Sequence, residues 1–249
     1  MKSVLIPIPS KDFDPTEVAI PYQILKHHRL TFATPDGKVG AADPVMLDGK
    51  GLGYLSSILK ADATAVKAYR EMVLSYTFNN PISYESISPS KFDAIILPGG
   101  HAPGMKPYLE SSVLQIVVKE MMKKNKLIGA ICHGVLLAAR SGVLKDKKVT
   151  ALSKKFELLA WYLTRKKLGD YYRTYPDTTV EDEVKSALSF PQDFLSGPPM
   201  IARDSLKKSW PGFVVRDGNL ITARWPGDSH RFAIEILNAL KESKNIPEN

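Results

Sequence analysis

An α/β fold, with a mostly parallel sheet sandwiched by helices, is what this 249-residue sequence predicts, on three observations. Apolar runs of strand length alternate with segments of helical spacing along most of the chain. Residues 4–8, a helical stretch and residues 30–34 give strand, helix, strand within roughly 35 residues, the parallel crossover unit. The apolar run Leu127-Ile128-Gly129-Ala130-Ile131 turns at Cys132 directly into another helical pattern, the form of a nucleophile elbow.

Composition sets the outer limits. With 44% hydrophobic and 24% charged residues the chain can bury one large core, and a single domain over 1–249 is expected. Its single Cys excludes an intrachain disulfide. The start Met1-Lys2-Ser3-Val4-Leu5-Ile6-Pro7 reads as a strand rather than a secretory leader, and no apolar run reaches the ~20 residues of a membrane span, so a cytoplasmic location without membrane partners is expected. The net charge of +8 is spread along the chain without aromatic interleaving, which predicts a solvated surface and no nucleic-acid partner.

The elements follow in order. After the first strand, Asp14-Pro15-Thr16-Glu17 opens a helix with Asp14 as N-cap, Pro15 at N1 and Glu17 at N3, where a carboxylate can reach back to the N-cap amide. His27 and His28 diverge at that helix's end and are read as C-terminal helix charges. Residues 38–90 are expected to form a helical insertion, with Ala65, Ala68, Met72 and Tyr76 on one face of 61–76. Residues 92–97 resume as a buried strand leading into Pro98-Gly99-Gly100-His101, whose glycines permit the close backbone approach an oxyanion loop requires.

A helix over 107–124 with Leu109, Val113, Ile116, Val117 and Met121 on one face leads to the elbow strand. Beyond the elbow come a strand at 148–152, a helix at 156–168 with Leu159, Tyr162 and Leu163 apolar, an aromatic loop at 169–176, a helix at 180–188, a hairpin over 213–222 turning at Asp217-Gly218-Asn219, and a closing helix at 232–240. A second cap-like insertion is expected over about 153–212.

The elbow carries its own steric logic. The residues two before and two after the nucleophile approach each other, and here both are small, Ala130 and Gly134. The helix that follows aims its amides at the sulfur, which predicts a stabilised thiolate. The imidazole of His133 stands beside it. Ligands of open parallel sheets sit beyond the strands' carboxyl ends, where the Gly99-Gly100 loop also lies. His101 and His230 are expected near the pocket, and the absence of an HExxH pattern or Cys cluster predicts no metal.

Residues 92–100 together with Ile128-Gly129-Ala130-Ile131-Cys132-His133-Gly134 resemble the ThiJ/PfpI superfamily. Glu17-Val18-Ala19-Ile20-Pro21 is similar to its N-terminal acidic segment, and Pro226-Gly227-Asp228-Ser229-His230 to its C-terminal signature. The resemblance covers nearly the whole chain and implies a flavodoxin-like fold of the class I glutamine amidotransferase type. Length, the 38–90 insertion and Cys-His-Gly make the chain most similar to the heat-shock chaperone and glyoxalase III branch, which usually has Pro where Val135 stands.

The resemblance implies roles. Cys132 is the nucleophile, His133 its imidazole, Glu157 the His-orienting acid with Asp170 in reserve, Glu17 the carboxyl beside the sulfur, and the Gly100 and His133 amides the oxyanion hole. It implies a cofactor-free enzyme acting on small reactive carbonyls, converting methylglyoxal to lactate without glutathione. A homodimer is implied as well. Two other readings stand beside it, an amidase or peptidase using the same residues, and a stress chaperone or redox sensor in which Cys132 is oxidised.

Overall fold

The computed structural model describes residues 1–199 and 202–242, so Met200 and Ile201 of the second expected insertion lie outside the described residues. Seven strands form the main sheet: β1 (Ser3–Pro7), β2 (Arg29–Thr34), β3 (Ile82–Ser83), β4 (Ala94–Leu97), β5 (Leu127–Ile131), β6 (Val214–Asp217) and β7 (Leu220–Ala223). Their spatial order is β3-β2-β1-β4-β5-β7-β6, parallel throughout except for the antiparallel β6–β7 hairpin at one edge. The hairpin turns through Gly218 at φ +63°, a conformation for which glycine has no steric cost.

The principal helices are α1 (Pro15–Leu25), α2 (Ala63–Val73), α3 (Ser112–Lys123), α4 (Gly134–Arg140), α5 (Lys154–Leu168), α6 (Val180–Ser186) and α7 (Ser229–Glu242). Helix α1 packs on α2 and α7 over one face of the sheet, and α3 packs on α4 over the other, with α6 against α4. Covered on both faces, the central strands are continuous apolar runs: every residue of β1, β4 and β5 is buried.

Four departures from the sequence expectation have physical causes. The 38–90 segment contributes more than a cap, because α2 buries Ala65, Ala68 and Met72 and β3 extends the sheet by pairing with β2. Tyr76 of its expected apolar face is exposed. Residues 148–152 form no strand of the main sheet; both edges of β7 are already taken by β5 and β6, leaving only a bridge from Val149 to Phe194 and a bond from the Thr150 amide to Thr222 Oγ1 at 2.9 Å. The 107–124 helix breaks at Glu110, where Ser111 caps α3 through the Leu114 amide. Ile116, Leu159, Tyr162 and Leu163 face solvent rather than the core.

Candidate active site

The sheet topology delivers four chain segments to one edge. At the carboxyl ends of β4, β5 and β7 stand Gly99-Gly100, Cys132 and Trp225, and the loop after β1 leads into α1 with Glu17 in its first turn. Asp14 caps α1 as the sequence predicts, its Oδ1 accepting from the Thr16 and Glu17 amides at 2.8 and 3.1 Å.

The expected reach of Glu17 back to the Asp14 amide does not occur. The Asp14 amide instead donates to the Gly99 carbonyl at 3.0 Å, and Glu17 Oε2 accepts from the Gly99 amide at 2.7 Å. Once the Gly99 carbonyl satisfies the N-cap amide, the carboxyl is free to point across the sheet edge.

Cys132 sits at φ +55°, the strained backbone of a nucleophile elbow. Gly134 makes that turn possible, since a Cβ there would collide with the Leu97 and Pro98 carbonyls. Gly99 is equally confined: a Cβ would lie 2.7 Å from the His133 amide nitrogen and 2.8 Å from Glu17 Oε2. Gly100 adopts φ +146°, which favours glycine.

Around the sulfur the groups are buried and close. Cys132 Sγ lies 3.5 Å from His133 Nδ1, and Cys132 is only 4% exposed. Glu17 is fully buried, and its Oε1 makes no hydrogen bond yet lies close enough to the thiol for each group to shift the other's ionisation. Burial, reinforced by the neighbouring Asp14 carboxylate, holds Glu17 well above the usual carboxylate range.

Burial also pushes the Cys132 thiol up, with the Glu17 and Asp14 charges acting in the same direction and the His133 amide opposing them. This reverses the expected thiolate preference, because one amide facing the sulfur does not offset lost hydration and two nearby carboxylates. Burial, with a smaller contribution from Arg140, lowers His133 to about 3, so its imidazole is neutral at physiological pH.

Glu157 lines the same cavity but makes no hydrogen bond to His133. Its Oε2 accepts from the Val180 amide at 2.9 Å and its Oε1 lies 3.9 Å from Arg173 Nε, while His133 Nε2 has no partner among the described residues. Asp170 is exposed and accepts from Trp161 Nε1 at 2.9 Å, outside this cavity. His230 turns away to Asp204, at 3.1 Å, and His28 Nδ1 accepts from the Lys2 amide at 3.2 Å.

His101 does reach the cavity, stacked on Tyr172 with ring centroids 4.1 Å apart. The sequence reading missed Asp14, Tyr172, Arg203 and Trp225 as cavity walls. The aromatic loop at 169–176 hinted at Tyr172; nothing local marked Arg203. Among the described residues no three His, Cys, Asp or Glu side chains are grouped to hold a metal.

The enclosed space measures about 40 Å³, room for a molecule of a few heavy atoms. A nucleophile, a neutral imidazole, a proton-bearing carboxyl and amides beside a close-packed glycine loop can add a thiol to a carbonyl and move protons around the adduct.

A parallel α/β sheet with a cysteine elbow at its carboxyl edge defines a class of proteins, and comparison with known sequences fixes which. The chain matches the ThiJ/PfpI family-like description across residues 8–197 and belongs to that family. It is 28% identical over 166 residues to a deglycase of Thermococcus kodakarensis, covering 67% of this chain and 73% of that protein. It is 26% identical to the deglycase PfpI of Pyrococcus furiosus, covering 76% of this chain and 82% of that protein.

Among solved structures, glyoxalase III of Candida albicans superposes with a TM-score of 0.67 at 18% identity, covering 96% of this chain and 97% of that one. The 24 kDa rapid encystment protein of Francisella tularensis gives 0.69 at 22% identity, covering 96% and 99%. These likenesses establish the flavodoxin-like fold. No described helix is long and apolar enough to cross a membrane.

Proposed function

We propose that the chain is a cofactor-free, Cys132-dependent enzyme acting on small reactive carbonyls, converting methylglyoxal to lactate without glutathione. The observation that carries this reading is the enclosed cavity of about 40 Å³ joining Cys132, His133 and Glu17. A space of that size favours a small dicarbonyl over the amide of a folded polypeptide. Deglycase relatives and the glyoxalase III fold neighbour support the same substrate class.

The sulfur of Cys132 adds to the aldehyde carbon as its proton passes to neutral His133, and the developing oxyanion accepts from the Gly100 and His133 amides. Protonated Glu17 gives its own proton to that oxygen, completing the hemithioacetal and leaving a carboxylate. As a carboxylate it then removes the C1 hydrogen and delivers it to C2, while the imidazolium of His133 protonates the C2 oxygen and Glu17 finally takes the proton of the C1 hydroxyl, giving the lactoyl thioester with both side chains back in their starting states. Neutral His133 activates water to hydrolyse the thioester, releasing lactate and the thiol. The sum is methylglyoxal plus water giving lactate and a proton, so no external oxidant or reductant enters. Glu157 supports the cavity wall beside His133, and we take a homodimer in the cytoplasm as the working state.

Lactate formation from methylglyoxal without glutathione tests the proposal, comparing the native protein with Cys132→Ser and Glu17→Gln. Loss of lactate in both variants is expected. Absence of lactate from the native protein overturns the reading.

A further inference from the structure

Arg203 lines the Cys132 cavity, and among the described residues lining that cavity it is the only Lys or Arg. Its Nη2 donates to the carbonyls of Ile58, Leu59 and Lys60 at 3.0, 3.3 and 3.0 Å, which anchors the guanidinium to the 38–90 segment. Trp225 packs against it, with Cζ 5.4 Å from the ring centroid. Yet Nε and Nη1 are buried with no hydrogen-bond partner among the described residues. A guanidinium carries five N–H donors, so about three remain unused.

Of the carboxylates around the cavity, Asp14 feels this charge, Arg203 acting to lower its carboxyl, yet no ion pair joins the two among the described residues. Asp14 Oδ1 is committed to two backbone amides, Glu17 Oε2 to the Gly99 amide and Glu157 Oε2 to the Val180 amide. None of the three forms an ion pair with Arg203 among the described contacts. Buried guanidinium donors left without a partner cost free energy unless an acceptor arrives to pair with them. The space Arg203 shares with Cys132 is where such an acceptor can sit.

We propose that Arg203 is an anion-binding residue of the Cys132 cavity and that it selects small carbonyl compounds carrying a carboxylate. This rests on the reading of Cys132 as a nucleophile toward carbonyls. The carboxylate takes the unused Arg203 donors, and the carbonyl carbon is thereby presented to Cys132. A small carbonyl acid is therefore held more tightly than a neutral one of the same size, and methylglyoxal reaches Cys132 without using these donors.

The test uses binding, so that it does not depend on turnover. The Cys132→Ala protein is titrated calorimetrically with sodium pyruvate and with its neutral isostere pyruvamide. Pyruvate is expected to bind at least about tenfold more tightly, and adding Arg203→Gln should abolish that preference. Equal affinities, or a preference that survives Arg203→Gln, overturn the proposal.

Should Arg203→Gln fail to fold, the Arg203 Nε–H resonance of the Cys132→Ala protein supplies the answer, moving with pyruvate and not with pyruvamide if the proposal holds. A resonance indifferent to pyruvate overturns it. Lactate formation by a protein that ignores pyruvate removes only the role of Arg203. Pyruvate binding by a protein that makes no lactate removes only the methylglyoxal reading.

Discussion

Glu17 and Gly99 are joined by a buried hydrogen bond of 2.7 Å from the Gly99 amide to Glu17 Oε2, which ties the cavity's acid to the glycine loop. The Asp14 amide closes the link by donating to the Gly99 carbonyl at 3.0 Å. One loop residue thus fixes both the start of α1 and the orientation of its carboxyl, leaving Oε1 toward the sulfur. A proton-transfer group held by a single backbone donor keeps its geometry whether or not it is charged.

Glu17→Gln preserves an oxygen for the Gly99 amide and removes the titrating proton. Turnover of methylglyoxal should fall by about 10²–10⁴-fold, the usual contribution of a positioned acid-base group, while the melting temperature stays close to that of the native protein. Kinetics and a thermal melt on the same preparation check both halves.

The same substitution should lower the pH at which Cys132 ionises. A nearby carboxylate opposes the thiolate, and Gln carries no charge. Thiolate absorbance followed against pH should shift to lower pH in Glu17→Gln relative to native. A shift to higher pH would mean that Glu17 stabilises the thiolate.

Gly134→Ala places a methyl against the Leu97 and Pro98 carbonyls, backbone atoms that cannot rotate away. Overpacking of that kind costs about 1–3 kcal/mol, and relief would displace the elbow itself. Denaturant unfolding should show the loss, and activity should fall more than stability does.

Much of this was legible in the sequence, and the failures share a cause. The elbow at Cys132, the Asp14 cap, the hairpin at Gly218 and the run of buried strands are encoded within a few residues, by steric demand and local periodicity. What the chain could not reveal locally was set by distant partners. The direction of Glu17 depends on Gly99, 82 positions away. The exclusion of residues 148–152 from the main sheet depends on β6 and β7 having already paired. Arg203 shares a cavity with Cys132 only because two segments far apart in sequence fold over the same edge, and the thiol's ionisation follows burial that no motif records.

Glu157 makes stability depend on pH with a sign that can be worked out. Burial raises its carboxyl to about 7 from the ordinary 4.5, so between those values the folded chain holds a proton that the unfolded chain has released. Its favourable contribution is therefore fully present below about pH 4.5 and is lost as pH rises through about 7. Glu157→Gln keeps an acceptor for the Val180 amide but cannot ionise. The difference in unfolding free energy, native minus Glu157→Gln, should decrease between those pH values by on the order of 2–3 kcal/mol. Urea titrations at intervals across this range measure that difference. A flat difference would mean that the Glu157 site does not favour the protonated form, and an opposite slope would mean that Arg173 dominates as its counter-ion.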